Sequence, residues 1–351
     1  MVGGHLRRGE FLHQVRSIAH PGLPSAQVQQ ILVLATCRSG AYKEVYPSFV
    51  LSMLLDAKLP TRFILKRILP DLALVLLISA IFLVLKVYVG PYLPPIPLSL
   101  PSILGSAISL LLAFTVSQSY ERWWEARKIW GAIVNDSRTL VLQVRSFVQA
   151  EQLTESLLRR LAYRQIAWCY GLGEALRGQD PLATLARYLP AEELAYAGRH
   201  ANKALALLAL HTQQLRGLYE QEAINAFQQV QLDATLVRLC DSMGRAERIK
   251  STVFPTNYRR LVHFLIYLFL GTLSLSLVET NDLWELPILL MFAATFFLVE
   301  RTARYMQDPF NDLPTDTPVT AIARTIEINL RQLLEEDDVP TPLPAEAFYL
   351  M

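Results

Sequence analysis

Apolar residues gather in two stretches toward opposite ends of the chain, and a short break splits each one. Leu72 to Leu85 is apolar apart from Ser79; Lys86 interrupts it and Val87 to Val89 continue it. A lysine near a helix end can reach the headgroups. The pattern therefore predicts a first span of roughly 18 residues, which at ~1.5 Å rise nearly crosses a hydrocarbon core. Gly90, Pro91, Pro94, Pro95 and Pro97 predict a turn. No charged residue occurs from Val87 to Tyr120, which predicts a second span from near Ser99 to near Ser117. Leu261 to Val278 lacks Asp, Glu, Lys and Arg and predicts a third. After the turn Glu279-Thr280-Asn281-Asp282, Leu286 to Val299 predicts a fourth, with Pro287 in the first turn, where proline is tolerated.

The sequence between the hairpins has helical rather than strand periodicity. Ile129, Ile133, Leu140 and Val144 recur at four- and seven-residue steps, so the second span is expected to continue into Glu121 to Gln149 as one long helix. Leu157 to Leu176, Ala191 to Gly217 and Glu222 to Ile249 read as further helices, with a loop at Gly178 and Pro181. In the last, Phe227, Val230, Leu232, Leu236, Leu239 and Met243 supply most of the apolar surface. Near the end, Thr317 is expected to cap a helix with Pro318 at its first position and Ile322, Ile326, Leu330 and Leu333 on its buried face. The acidic run Glu335 to Asp338 reads as a solvated face. The first ~43 residues hold only the short apolar run Ile31 to Ala35, too little for a signal peptide. They read as a mobile tail or an over-extended start, with Met53 an internal alternative.

Composition supports lipid as one solvent for this chain. Charged residues are 18% and hydrophobic residues 52%, against about 25% charged in average soluble proteins. A net charge of +2 is too small to argue for nucleic acid. The basic residues instead cluster by position. Lys58, Arg62, Lys66 and Arg67 precede the first span, and Arg122, Arg127 and Lys128 follow the second. Arg245, Arg248, Lys250, Arg259 and Arg260 precede the third, and Arg301 and Arg304 follow the fourth, while the turns hold none beyond Lys86. By the positive-inside rule, both termini and the middle segment are expected to be cytoplasmic.

Candidate chemistry is sparse. Nucleophile elbows, HExxH and paired CxxC are absent. Cys37, Cys169 and Cys240 share no metal-ligand spacing and read as buried thiols. His263 lies about one turn into the third span and reads as interfacial; Glu300 and Arg304 read as an i,i+4 anchoring pair. Neither an enzyme nor a cofactor is expected. In the second span, Ser102, Ser106, Leu110 and Phe114 stand four apart and share a helix face. A row grading from hydroxyl to bulky apolar suits a pore that narrows inward and gates by dewetting. It suits close helix packing through small residues as well, and periodicity alone favours packing.

Two separated motifs tip that balance. Ser119-Tyr120-Glu121-Arg122-Trp123-Trp124-Glu125-Ala126-Arg127-Lys128-Ile129-Trp130-Gly131, with Asn135, Ser137 and Arg138 beyond it, resembles the bestrophin family, most closely its bacterial and plant branch. Asp308-Pro309-Phe310, then Asp312-Leu313-Pro314 and Ile326-Glu327-Ile328-Asn329-Leu330, is the second signature. The resemblance covers roughly Tyr46 to Asp338.

It implies an all-α membrane protein, with four transmembrane helices in two hairpins, a helical cytoplasmic domain between and after them, and a homopentamer around one central pore. The boundaries expected are a tail at 1–43, the first hairpin with its lead-in at 44–118, a cytoplasmic helical domain at 119–258, the second hairpin at 259–306, a C-terminal helix segment at 307–338 and a tail at 339–351. The hydrophobic neck of the family maps onto Ser106, Leu110 and Phe114, with Ser106 where relatives carry a branched apolar residue. The cytoplasmic aperture maps near Val230, with Phe227 and Ile224 as competitors. Only Asp312 and Asp316 stand in the loop where animal members bind calcium, so calcium activation is not expected. Glu279, Asp282 and Glu285 at the outer turn would draw cations if they faced the vestibule. The implied function is passive conduction of small monovalent ions across the plasma (inner) membrane, with chloride slightly favoured over a monovalent cation. A secondary transporter or a membrane-anchored scaffold is the rival reading. The implied partners are the lipid bilayer, the ions and further copies of the chain.

Overall fold

The computed structural model describes residues 61–89, 96–252, 256–277, 282–313 and 315–344. Among them the chain forms ten α-helices: α1 Thr61–Val89, α2 Ser99–Phe147, α3 Glu155–Leu176, α4 Leu182–Leu185, α5 Ala191–Gly198, α6 Lys203–Glu220, α7 Ala226–Ser251, α8 Thr256–Ser276, α9 Asp282–Gln307 and α10 Val319–Leu333. The four apolar stretches fall in α1, α2, α8 and α9, the third running past Ser276 at the end of α8 to Val278, which lies outside the described residues. By length and apolarity, α2 and the Trp284–Gln307 part of α9 are long enough to cross a bilayer, whereas the apolar part of α1, Leu69–Ile81, is shorter. The turn at Gly90 to Pro95 and the segment before Thr61 lie outside the described residues.

The long second helix forms as expected. Its 49 residues make a rod of about 73 Å at ~1.5 Å per residue, more than twice the ~30 Å hydrocarbon core. One helix therefore belongs to two cores. Its first half packs Ile108 and Leu112 against Val75 of α1, Ile266, Phe269 and Leu273 of α8, and Leu289, Ala293 and Phe297 of α9. Its second half packs Trp130, Ile133, Leu140 and Val144 against Ile166 and Trp168 of α3, Leu207 of α6, Leu236 and Leu239 of α7, and Ile322, Ile326 and Leu330 of α10. Outside the first core the helices present large apolar side chains outward: Leu77 and Ile81 of α1, Phe264 of α8, Met291 and Leu298 of α9. Such a continuous apolar exterior needs lipid or another protein surface to cover it.

Several expectations change. The stretch Ala191 to Gly217 is two helices, not one. Helix α5 ends at Gly198, and the Asn202 side chain accepts the Leu205 amide to start α6, an Asn cap. Helix α7 starts at Ala226 rather than Glu222, because Asn225 and Gln228 form a reciprocal capping box. Thr317 does not cap α10: its hydroxyl is buried without a partner, Pro318 takes the cap position, and the Thr317 amide donates instead to the Pro309 carbonyl. Cys169 is buried, as expected, but Cys240 is exposed, because the inner face of α7 is taken by Leu232, Leu236, Leu239 and Met243. Cys37 lies outside the described residues. Burial pushes the Cys169 thiol up to about 12, so it is an inert packing group.

Candidate pore-lining site

The row of residues singled out in the second span lies on an exposed face of α2, where none of the described helices covers it. Leu110 is 59% exposed and Phe114 61%, while Ile108 and Leu112 between and beside them are 1% and 3% exposed. Ser102 and Ser106 are exposed on the same side. A helix that buries one face fully and leaves large apolar groups bare on the other has an unfilled partner there. The hydroxyls are satisfied locally. Ser102 Oγ donates to the Leu98 carbonyl at 2.7 Å and Ser106 Oγ to the Ser102 carbonyl at 2.9 Å. This i−4 bonding uses the proton and leaves the oxygen lone pairs toward the open face.

The opposite edge of α2 is packed through small residues. A Cβ on Gly105 would stand 3.1 Å from the Phe269 ring, so glycine lets α8 approach closely. Phe269 in turn meets Phe292 and Phe296 edge-on, at 5.6 and 5.4 Å between centroids. The serine-rich sequence thus divides between two edges of one helix: Gly105 serves packing, and the row Ser106, Leu110, Phe114 is exposed.

Below the row, two signature motifs clasp one another. Arg122 Nε donates to the Gln307 carbonyl at 2.8 Å, and its Nη2 to the carbonyls of Ile249 and Thr252 at 2.8 and 3.0 Å. One guanidinium therefore closes the C-terminal ends of α7 and α9, where backbone carbonyls lack helical partners. Trp123 Nε1 donates to the Thr315 carbonyl at 3.0 Å, and Arg138 holds Asn329 Oδ1 through Nε at 2.9 Å and Nη2 at 2.5 Å. Arg122, Trp123 and Arg138 of the motif are thus braces that tie α2 to the ends of α7 and α9, to the Thr315 loop and to α10. Sequence reasoning named them without assigning them this work; arginines at fixed offsets from helix ends were the available signal.

Three expected sites need correction or narrowing. Of the aperture candidates on and before α7, Val230 is 69% exposed and Phe227 89%, but Ile224 is 3% exposed and belongs to the core. Glu285 is not a vestibule charge: it is 4% exposed and accepts from Ser274 Oγ of α8 at 2.5 Å. Of the outer-vestibule pair, Glu279 lies outside the described residues, and Asp282 opens α9 with its side chain likewise outside them. His263 Nε2 stands 3.4 Å from Glu300 Oε1, and Arg304 Nη2 stands 2.7 Å from the same oxygen. The anchoring pair is thus a triad joining α8 to α9, and Arg301 with Asp71, at 2.7 Å, joins α9 to α1.

The Asp308 loop is organised by backbone. Asp316 Oδ2 accepts the amides of Asn311 at 2.6 Å and Leu313 at 3.1 Å, and Asp312 pairs with Arg177 at 3.1 Å. Asp316 is buried, and that burial pushes its carboxyl up to about 6 although the two amides oppose the shift.

Comparison with known proteins agrees with this geometry. A family model described as bacterial/fungal bestrophin protein matches residues 51–332. A voltage-dependent anion channel-forming protein of Ralstonia nicotianae is 29% identical over 290 residues, 82% of this chain and 94% of that protein. One of Salmonella typhi is 30% identical, over 68% of this chain and 77% of its own. The crystal structure of a bacterial bestrophin homolog from Klebsiella pneumoniae superposes with a TM-score of 0.72 at 28% identity, covering 77% of this chain and all of that one. With both signatures in place around the same helical frame, the chain belongs to the bacterial and fungal bestrophin family.

Proposed function

We propose that this chain is a passive ion channel of the bestrophin type, embedded in the plasma (inner) membrane with both termini cytoplasmic. Copies of α2, five by analogy with the family, surround one axis and turn their uncovered faces inward. Ser106, Leu110 and Phe114 then form the neck, and Val230 of α7 forms a second, cytoplasmic constriction. The observation that carries this reading is the exposed Leu110–Phe114 row on a helix otherwise buried in two cores. Rings of such residues leave a narrow apolar passage whose wetting controls conduction. Domain limits follow the two cores: a membrane part built from α1, the first half of α2, α8 and α9, and a cytoplasmic part built from the rest.

The names of the relatives from Ralstonia and Salmonella speak for anions, and chloride is the first ion proposed here. A monovalent cation is the second, because the outer turn carries acidic Glu279 and Asp282 and no basic residue. A secondary transporter is less well supported, since among the described residues the neck row carries no ionisable side chain for coupling. Purified protein in planar bilayers, with reversal potentials read under KCl and NaCl gradients, tests conduction and selectivity together. An ohmic current with a defined reversal potential is expected. Electrical silence from a monodisperse single subunit would refute the channel.

A further inference from the structure

The uncovered face of α2 does not stop at Phe114. At about 3.6 residues per turn the same face passes through Ser117, Glu121, Trp124 and Lys128, and all four are exposed. Three of these are neutral or compensated. Ser117 and Trp124 carry no charge, and Lys128 Nζ sits 2.6 Å from Glu125. The next cation along the helix, Arg122, is turned away and committed to the carbonyls of Gln307, Ile249 and Thr252. Of the two charged side chains on this face, Lys128 is paired with Glu125, whereas the Glu121 carboxylate has no hydrogen bond or ion pair among the described residues.

We propose that Glu121 is a selectivity residue: in the assembled channel its carboxylates form a ring at the cytoplasmic mouth of the neck that draws cations to the mouth and depletes anions there. Glu121 follows Phe114 by seven residues, so its backbone lies about 10 Å further along the axis at ~1.5 Å rise. Helical side chains lean toward the N-terminus, which aims the carboxylate back at Phe114. The gap is about one Debye length at 0.1 M salt, well within one at 0.01 M (~30 Å) and beyond one at 1 M (~3 Å). The apolar neck holds no charge of its own, so this ring sets the potential an ion meets on entering it. The assignment rests on the channel reading above and, within it, favours the monovalent cation over chloride.

The test compares wild type, Glu121→Gln and Glu121→Asp in planar bilayers under KCl gradients, at mean salt near 0.03 M and near 1 M. Glu121→Gln is expected to lower the potassium-to-chloride permeability ratio at least about threefold at low salt, with the difference vanishing at 1 M. Glu121→Asp keeps the charge and should keep the wild-type ratio. Because the side chain has no partner, the glutamine variant should retain the melting temperature and particle size of wild type. An unchanged permeability ratio at low salt, in a preparation where Ser106→Ile still lowers conductance, would overturn the role of Glu121 and leave the channel standing. Absence of current from wild type would bring down both.

Discussion

Replacing Ser106 by isoleucine probes the neck most directly. Successive neck residues stand four apart, about 6 Å along α2 at ~1.5 Å rise. With a hydroxyl at Ser106, only the stretch from Leu110 to Phe114, about 6 Å, is lined by apolar side chains alone; with isoleucine that stretch becomes about 12 Å. Ser106 is exposed and its proton bonds the Ser102 carbonyl, so the larger side chain meets open space rather than a packed neighbour, and isoleucine is at ease in a helix at its favoured rotamer. The substitution removes a ring of acceptor oxygens and adds a ring of branched alkyl groups. Each extra buried methylene is worth ~0.8 kcal/mol in transfer from water, so an added dewetting barrier of about 1 kcal/mol is a modest expectation. That corresponds to a single-channel conductance lowered roughly fivefold. Ser106→Ala removes the oxygen at nearly constant volume and should give a smaller decrease; Ser106→Thr restores an oxygen and should stay near wild type. Single-channel recording at symmetric salt reads the series. Conductance unchanged or raised in Ser106→Ile would refute the placement of this face on the conduction path.

Other substitutions test the frame. Asp316→Asn removes a buried charge whose folded-state carboxyl is raised to about 6. A raised carboxyl binds its proton more tightly when folded, so stability falls as pH rises from about 4 to about 6; a shift of ~2 units is worth roughly 2–3 kcal/mol. The variant should melt at or above wild type at pH 7 and lose that slope, and a slope retained by tryptophan-fluorescence melting would count against the burial. Arg164 holds Glu193 through Nε at 2.7 Å and Nη2 at 2.6 Å, with both side chains under 5% exposed. Arg164→Met leaves that carboxylate to Arg160 and should cost about 2–4 kcal/mol of the stability of the helical core around α3. Arg122→Ala strips three carbonyls of their donor and should cost about 2–3 kcal/mol, with proteolysis near Thr252 and Gln307 accelerated; unchanged cleavage there would refute the clasp.

Much of this architecture is written in local pattern. The four apolar helices, the single long α2 and the helical middle segment follow from hydrophobic runs and three- to four-residue spacing, because helices are short-range objects. Helix ends were less legible: the break between Gly198 and Asn202 was marked by residues that also occur inside helices, and Thr317 looked like a cap until the Pro309 carbonyl took its amide. Side-chain fates were least legible of all. Periodicity alone could not separate Gly105, pressed on Phe269, from Ser106, one residue on and facing open space. Neither could it tell Ile224, in the core, from Val230, outside it. Nor did it show that Glu285 turns inward to Ser274 while Glu121 is left bare.

The sequence by itself determined the solvent, the helices and the family, since each depends on residue type and spacing within a turn or two. Only tertiary structure decided which face of α2 stays uncovered, because that depends on where α1, α8 and α9 dock and which positions they shield. The same docking made a brace of Arg122, whose carbonyl partners at Ile249 and Gln307 are more than a hundred residues away in the chain.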